Sequence, residues 1–482
     1  MRITNTMMTS RMLLSINRNT RNVDALYNQL STGKQIQYPS DNPILAARAL
    51  KFRTSVADTQ QYQRNVSQGL SWMEVSERGF TNAGDILKTI RDLSVRASSD
   101  VPNTTDDRKK IMDQISQLID QLGTEMNITY AGRYVFSGYR TDQPPTFTED
   151  QPGANCEIAQ TFDATDMEKT LSYRKVNATA VPETHDVNIV KLAYKNAGAP
   201  TVGVTLPPPV PPAAAPVITV NTTGLNNAPP YTATNLDPYA PAPGTINYIP
   251  ETGELVLADD IAASFTGLTV TYQKQGFNRG ELNPLVYFNT TDLNTGDTYT
   301  MDRLTQSIEY EFGVNTRIGV NSLAKDSYTD KLYADLKGLQ ELIGRVAFSS
   351  ESDLRNYYAS TLGGGLTGQA LEDAVSQQMQ VETQQTRGVL QSRFKDMIDM
   401  IDRHTGRISA EHTDLGSRMN RLELIDDRLA DDQISYQKLL SDNEDVDYME
   451  AIMNMNIAQS IYQASLKTGA SMIQMSLADF IR

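Results

Sequence analysis

Residues 449–482 decide the fold of this chain, and they read MEAIMNMNIAQSIYQASLKTGASMIQMSLADFIR. Only four of these 34 residues carry charge, whereas 22 of the 55 residues in 393–447 do. A helix that faces water on one side needs a polar, charged face. We therefore expect a final helix that other protein covers, as in a subunit of an assembly rather than an enzyme.

Both ends of the chain carry apolar residues at helical spacing, mostly in steps of three, four or seven. The N-terminal set is Met12, Ile16, Val23, Leu26 and Leu30, and the C-terminal set is Ile452, Met455, Tyr462, Leu466, Ile473 and Phe480. We predict that these residues form an assembly interface. Two helices of this size bury too little to offset the entropy of ordering them. We therefore expect them to be disordered in the free monomer and to order against other copies.

A loop separates the first helix from the next one. Gly33 is expected to stop the first helix, because glycine favours the position after a helix end. Asn42 can then cap a second helix, in which Pro43 suits the first position. We predict an inter-domain loop that includes Gly33, Lys34, Pro39, Ser40, Asp41, Asn42 and Pro43.

The middle of the chain has a different composition. Of the 21 prolines, 18 lie between Pro144 and Pro284, and proline is excluded from helix interiors. Short strand candidates recur there at Val217 to Val220, Leu255 to Leu257 and Leu268 to Tyr272. The tract from Pro207 to Pro216 is typical of a stiff extended linker. We predict an inserted β-rich domain, or two small ones.

Helical periodicity then returns and becomes strict. Apolar residues stand seven apart at Phe394, Ile401, Ile408, Leu415, Leu422, Leu429 and Tyr436. Polar side chains such as His404 and Arg418 occupy most of the positions three residues further on, which a two-stranded coiled coil requires to be apolar. Packing within a helical bundle is therefore favoured over a free coiled coil.

These patterns predict an α+β multidomain protein, with a long helical bundle formed by both termini and an inserted β-rich domain. We expect terminal helices in residues 1–42 plus 446–482. The helical bundle domain takes residues 43–138 plus 300–445, and the inserted Pro-rich β domain takes residues 139–299. Because the β domain is inserted into the bundle, and the bundle lies between the two terminal helices in the chain, we expect the two ends of the chain to lie together.

Bulk composition excludes several classes of partner. The formal net charge of −15 argues against nucleic acid and anionic membranes, because both attract basic surfaces. Cys156 is the only cysteine, so no intrachain disulfide or thiolate metal cluster can form. The sequence shows neither a secretory signal nor a transmembrane span.

Two motifs resemble chemical sites, and neither is convincing. Residues 363–368 read GGGLTG, which fits the dinucleotide fingerprint, but that fingerprint requires a preceding strand. We expect a hinge between two helices instead.

His404 and His412 lie near one helical face with acidic neighbours, yet histidines on a charged helix are more often solvated than metal-bound. We nominate no catalytic, cofactor-binding or metal-binding residue, and we expect no enzyme.

Short motifs at both ends resemble a known family. Met1-Arg2-Ile3, the LSTGK of residues 30–34 and the PSDNP of residues 39–43 resemble the N-terminal region of bacterial flagellins. The IYQASL of residues 461–466 and the LADF of residues 477–480 are similar to the matching C-terminal end. Within that superfamily, the YVFSGY of residues 134–139 and the GVNTRI of residues 313–318 resemble the hook-associated protein 3 branch. Asn42 stands where the family more commonly has aspartate, and either residue caps a helix.

The resemblance implies a flagellin-like fold and a structural adapter at the junction between flagellar hook and filament. It implies secretion through the flagellar type III export apparatus. The implied partners are copies of the chain in a ring, the first hook-associated protein, flagellin and a cytoplasmic export chaperone that binds the C-terminal helical region. Two alternatives stay open: flagellin itself, the bulk filament subunit, and a type III secreted coiled-coil translocator or adhesin.

Overall fold

A computed structural model describes residues 5–99, 105–174, 183–205, 218–224, 236–301, 306–345, 351–360 and 364–480. The chain divides into two compact units. Unit 1 comprises Met1–Gln68, Glu311–Arg317 and Arg421–Arg482, and unit 2 comprises Gly69–Tyr310 and Ile318–Asn420. The helices are α1 (Asn5–Thr32), α2 (Pro43–Ser98), α3 (Thr105–Met126), α4 (Asp259–Ala263), α5 (Pro284–Tyr287), α6 (Ala324–Ser327), α7 (Asp330–Arg345), α8 (Glu351–Ala359), α9 (Gln369–Glu444) and α10 (Tyr448–Phe480).

The strands lie between α3 and α6 in the chain. They are β1 (Thr129–Tyr130), β2 (Arg133–Tyr134), β3 (Gln151–Asp163), β4 (Glu168–Arg174), β5 (Glu183–Lys191), β6 (Thr201–Thr205), β7 (Thr219–Thr222), β8 (Thr245–Ile249), β9 (Glu254–Leu257), β10 (Gly267–Phe277), β11 (Asn289–Asp292), β12 (Thr298–Tyr299), β13 (Glu309–Gly313) and β14 (Thr316–Gly319). Long helices flank a central strand-rich segment, so the predicted fold class is confirmed.

The β-rich segment contains two five-stranded sheets within unit 2. The first has the order β12-β11-β3-β10-β6, and the second has the order β4-β5-β9-β8-β7. Their neighbouring strands are antiparallel except for the parallel pair β7–β8. The strands predicted near residues 255–257 and 268–272 form β9 and β10. Val217 and the proline tract of residues 207–216 lie outside the described residues.

The heptad pattern on α9 marks its buried face, as the sequence indicates. Phe394, Ile401, Ile408, Leu415, Leu422 and Leu429 are all buried, and Tyr436 is half-buried. Within unit 2, α2 and α9 run antiparallel, because Phe80 contacts His412 while Arg91 pairs with Asp402. A stripe repeating every seven residues therefore packs against neighbouring helices.

An aromatic cluster forms part of the unit 2 core. Phe136, from the YVFSGY motif, lies 5.1 Å from Phe80 and 5.2 Å from Tyr328 between ring centroids. The Tyr328 hydroxyl donates to the carbonyl oxygen of Gly79 at 3.0 Å. A Cβ atom on Gly79 would lie 3.1 Å from the Phe136 ring, so the small residue at position 79 allows this close packing.

A buried polar network also lies in unit 2. Nζ of Lys191, on β5, is 2.9 Å from Glu168 and 3.1 Å from Asp335 of α7, and His404 of α9 lies 3.1 Å from the other Asp335 oxygen. Burial alone would raise the pKa of Asp335, but the Lys191 charge and the His404 hydrogen bond hold it at about 2. Our expectation that His404 is solvated is wrong, because its side chain is only 6% exposed. The sequence could not indicate this, since the covering residues come from distant segments.

Candidate assembly interface

The two terminal helices of unit 1 pack against each other in antiparallel orientation. At one end, a Cβ atom on Gly469 would lie 3.2 Å from Cε of Met12 and 3.4 Å from Cδ1 of Ile16. At the other end, a Cβ atom on Gly33 would lie 2.7 Å from the Tyr448 hydroxyl. The start of α1 therefore meets the later part of α10, and its end meets the start of α10.

The facing sides of the two helices repeat in steps of three and four residues, and we call them the seam. On α1 the half-buried seam residues are Met12, Ile16, Asn19, Val23, Leu26 and Leu30. On α10 the seam comprises Ala451, Met455, Ala458, Tyr462, Ser465 and Gly469, all buried or half-buried. The α10 side consists largely of small residues, which lets the larger α1 side chains approach closely.

The structure divides the predicted interface residues into three groups. The five on α1, together with Met455 and Tyr462, lie on the seam. Ile452 and Leu466 are exposed. Ile473 and Phe480 fall in α10, but their side chains lie outside the described part. Whether these residues meet other copies stays a prediction.

A second apolar set faces solvent, and of its members the sequence patterns singled out only Ile452 and Leu466 as interface residues. On α1 it comprises Met7, Met8, Leu13, Leu14 and Tyr27, and on α10 Met449, Ile452, Met453, Ile457, Ile461 and Leu466. We call this set the outer face. Leu14 is 69% exposed and Met449 is 81% exposed. The sequence did carry one signal for the outer face, which is the scarcity of charged residues on α10. Where charge is scarce, apolar residues occur on every side of the helix.

A compact set of contacts, which we call the clasp, joins the end of α1 to the start of α10. The amide of Gln35 donates to the carbonyl oxygen of Glu444 at 2.7 Å, and the amide of Val446 donates to the carbonyl oxygen of Gly33 at 3.0 Å. Nζ of Lys34 lies 2.7 Å from Asp445, and 3.7 Å from Glu444. The interruptions between α1 and α2 and between α9 and α10 are therefore held together.

Charges stabilise the clasp further. The guanidinium of Arg53 pairs with Glu444, whose side chain is only 4% exposed. The hydrogen bond to Asp445 raises the pKa of Lys34, and the hydrogen bonds from Lys34 and Ser441 lower the pKa of Asp445. Both groups are charged at neutral pH, so the ion pair is intact there.

The rest of the predicted loop is a compact turn. Oδ2 of Asp41 accepts from the Tyr38 amide at 2.9 Å, and Oδ1 of Asn42 accepts from the Leu45 amide at 3.2 Å. Gly33 has φ +70 directly after α1, and Pro43 is the first residue of α2. The predicted helix stop and helix start are confirmed. Pro39 and Ser40 are exposed.

The two rejected chemical motifs have other structural roles. Residues 351–359 form α8 where the dinucleotide fingerprint requires a strand, and Gly368 directly precedes α9. His412 is 3.7 Å from Glu77, while the buried His404 contacts Asp335. Among the described residues, no group of three or more His, Cys, Asp or Glu side chains could hold a metal ion. No described helix has the length and apolar character needed to cross a bilayer.

Comparison with known proteins gives two family matches. The bacterial flagellin N-terminal helical region matches residues 3–141, and the bacterial flagellin C-terminal helical region matches residues 398–481. The N-terminal match includes α1, α2 and α3, and the C-terminal match includes the later part of α9 and all of α10. Residues 142–397 lie between the two matched regions.

Individual relatives are similar over the same kind of limited region. A flagellin of Clostridium tyrobutyricum is 30% identical over 127 residues, which cover 26% of this chain and 33% of the relative. The flagellar hook-associated protein 3 of Escherichia coli K12 is 32% identical over 124 residues, covering 26% of this chain and 38% of the relative. The alignments thus span little more than a third of these relatives. A crystal structure of flagellar hook-associated protein 3 from Legionella pneumophila aligns over 81% of this chain and 97% of its own length, at 12% identity and a TM-score of 0.32.

Proposed function

We propose that the protein is a structural adapter of the bacterial flagellum, because both ends of the chain match the helical regions of bacterial flagellin. It joins the hook-associated protein on the hook side to the flagellin filament, and it has no chemical turnover. The observation that carries this proposal is the outer face of α1 and α10, where large apolar side chains face solvent. Such a surface marks a protein interface.

Copies of the chain assemble through the outer face into a ring, and the seam holds α1 and α10 together beneath it. Each large apolar side chain covered on assembly contributes roughly 1.5 to 3 kcal/mol. Ordering of the helices and assembly are coupled, because two narrow helices alone gain too little from their seam. Export proceeds through the flagellar type III apparatus, and a cytoplasmic chaperone binds the α10 region before export.

The coupling of folding to assembly is tested by hydrogen exchange. In a dilute monomer, amides of α1 and α10 are expected to exchange far faster than amides of α9. In assembled material they are expected to be protected. Strong protection of both terminal helices in the dilute monomer would contradict coupled folding, although the adapter role could still hold.

The role of the outer face is tested by changing it without touching the seam. We expect the triple variant Met453→Ser, Ile457→Ser and Ile461→Ser to remain soluble, to keep unit 2 folded and to lose entry into the flagellum. Gln459→Ser with Gln463→Ser is the matched control, because both are exposed polar residues of α10. Deleting residues 449–482 is expected to give the same loss. Full assembly of the triple variant would overturn the proposal.

A strain that lacks the protein is expected to build hooks, to lose its filaments and to release flagellin into the medium. Normal motility of that strain would discard a flagellar role altogether and favour a secreted translocator or adhesin. These outcomes require no purified protein.

Flagellin itself is the second candidate, because the aligned Clostridium tyrobutyricum relative carries that name. A filament subunit is expected to extend preformed seeds into long filaments, whereas an adapter stops at a short ring. Long filaments grown from the purified protein would favour this candidate and exclude the adapter.

A further inference from the structure

Unit 1 carries two further exposed apolar stripes outside the terminal helices. Near its start, α2 exposes Ile44 to 69% and Leu50 to 59%, and further along its length α9 exposes Leu424 to 71% and Ile434 to 65%. The buried faces of the same helices carry other residues, such as Ala46 and Ala49 on α2 and Leu422 and Leu429 on α9. These exposed side chains therefore contribute nothing to the core of their own chain.

The α2 stripe is positively charged. Ile44, Arg48 and Lys51 follow one another at steps of four and three, so they share one helical face, and Leu50 lies beside Lys51. All charged residues between Pro43 and Ala57 are positive. Arg48 and Lys51 are exposed. We call Ile44, Arg48, Leu50 and Lys51 the basic stripe.

The α9 stripe has the opposite charge. Leu424, Asp427, Asp431 and Ile434 follow at steps of three, four and three, again on one helical face. From Leu422 to Asp432 the helix carries five acidic residues and one basic residue. Asp427 and Asp431 are exposed. We call Leu424, Asp427, Asp431 and Ile434 the acidic stripe.

The charged side chains of both stripes have no partner among the described residues. Within the part of the chain that the structure describes, Arg48, Lys51, Asp427 and Asp431 form no ion pair or side-chain hydrogen bond. Other charges of unit 1, such as Lys34 and Arg53, do pair internally. Each stripe thus combines two large apolar side chains with two charges of one sign that have no described partner. The charges stand three residues apart in the basic stripe and four apart in the acidic stripe.

We propose that the basic stripe of one copy of this chain docks on the acidic stripe of a second copy. Arg48 and Lys51 face Asp427 and Asp431 across this contact, and the apolar side chains of the two stripes pack beside these charges. Because the two stripes are different surfaces, the contact can repeat from copy to copy and close into a ring. This inference rests on the proposed assembly of copies and assigns them a lateral contact separate from the outer face of α1 and α10.

Charge reversal with mixing tests the proposal on the full chain. Variant A carries Arg48→Glu with Lys51→Glu, and variant B carries Asp427→Lys with Asp431→Lys. In variant A both stripes are negative, and in variant B both are positive. Sedimentation velocity measures self-association. The buffer is low in salt, because 0.1 M salt largely screens exposed charges that lie more than about 10 Å apart. We expect each variant alone to associate roughly tenfold or more weakly than the native chain, since like charges then face each other.

Mixing the two variants is the decisive step. Every contact between A and B pairs opposite charges, so the equimolar mixture is expected to recover native association. The fourfold variant, in which both stripes are reversed in one chain, is expected to recover it as well. Lys88→Glu with Arg133→Glu serves as the control, because these exposed positive residues lie in unit 2, and circular dichroism checks that every variant is folded.

Several results would overturn the proposal: a native chain that does not associate, reversals without effect, or a mixture that does not recover. A partner other than a second copy would also appear as reversals without effect. None of these results bears on the adapter role, which is judged by the strain lacking the protein. Conversely, normal motility of that strain would refute the adapter role and leave the measured association unaffected.

Discussion

Nζ of Lys34 lies 2.7 Å from Oδ1 of Asp445, although 411 positions separate the two residues in the chain. The pair stands beside the backbone hydrogen bonds that join Gln35 to Glu444 and Val446 to Gly33. The LSTGK motif at the end of α1 therefore contacts the residues just before α10. This gives the motif a structural role, which is to hold both helix interruptions at one place.

Removing the Glu444 carboxylate is expected to loosen the clasp. Glu444→Ala leaves Arg53 and Lys34 without this partner, and we expect local opening to become easier by about 1.5 kcal/mol. In assembled material, where α1 and α10 are expected to be ordered, exchange of the Val446 amide is then expected to accelerate about tenfold, as measured by hydrogen exchange with mass spectrometry. Asp442→Ala is the control, because Asp442 is an exposed acid two residues away. Equal exchange in both variants would mean that the backbone contacts alone hold the clasp.

Gly33 is expected to tolerate no side chain. A Cβ atom at position 33 is unfavourable for two reasons. The φ of +70 strains the backbone of a residue with a side chain, and the Cβ atom would clash with the nearby Tyr448 hydroxyl. We expect Gly33→Ala to destabilise the clasp by more than the roughly 1 to 2 kcal/mol typical of left-handed backbone strain alone.

Gly132→Ala isolates the strain, because Gly132 has φ +77 and a Cβ atom added there would have no neighbouring atom within 4 Å. Thermal unfolding measures the stability that each variant loses. Gly33→Ala is expected to lose more stability than Gly132→Ala, and adding Tyr448→Phe to Gly33→Ala is expected to remove this difference. If both glycine variants lose the same stability, the hydroxyl contact has no effect.

Gly469 is expected to set the spacing of the seam. Gly469→Ala brings a Cβ atom against the flexible end of Met12, which can move, and it gains up to about 1 kcal/mol of helix propensity. Gly469→Leu cannot be accommodated in the same way and is expected to separate α1 from α10. Assembly is therefore expected to survive the alanine and to fail with the leucine. Gly406→Leu, at an exposed position of α9, is the control.

Asp335 is expected to be essential to unit 2. Asp335→Asn removes the fully buried carboxylate that pairs with the half-buried Lys191, and loss of a buried partner costs about 3 kcal/mol or more. Asp120→Asn is the matched control, because Asp120 faces Lys337 at 3.7 Å with 70% of its side chain exposed. That exposed pair is expected to contribute less than about 1 kcal/mol.

The pH dependence of Asp335 has a definite sign. Its pKa of about 2 lies below the ordinary 3.8, so its contribution to stability is complete above the unfolded pKa and is lost as the pH falls through about 2. The stability gap between the native chain and Asp335→Asn is therefore expected to stay constant from about pH 7 to pH 5 and to shrink below about pH 4. Thermal unfolding measures it, and a gap that closes already at pH 5 would contradict the assignment.

Much of the architecture follows from local signals. Gly33, Asn42 and Pro43 predict where α1 stops and α2 starts, because each acts through the backbone of its own neighbourhood. The heptads from Phe394 to Tyr436 predict the buried face of α9, and the proline distribution predicts the β-rich insertion. The clasp was not predictable, because Glu444 and Arg53 are ordinary charged residues until folding brings them together.

The sequence by itself determined which segments are helical, where they break and that the terminal helix is nearly free of charge, since periodicity, capping and composition are properties of neighbouring residues. Only the tertiary structure decided which apolar residues form the seam and which face outward, and that His404 is buried. Burial depends on what packs on each face of a helix, and those partners lie hundreds of residues away in the chain.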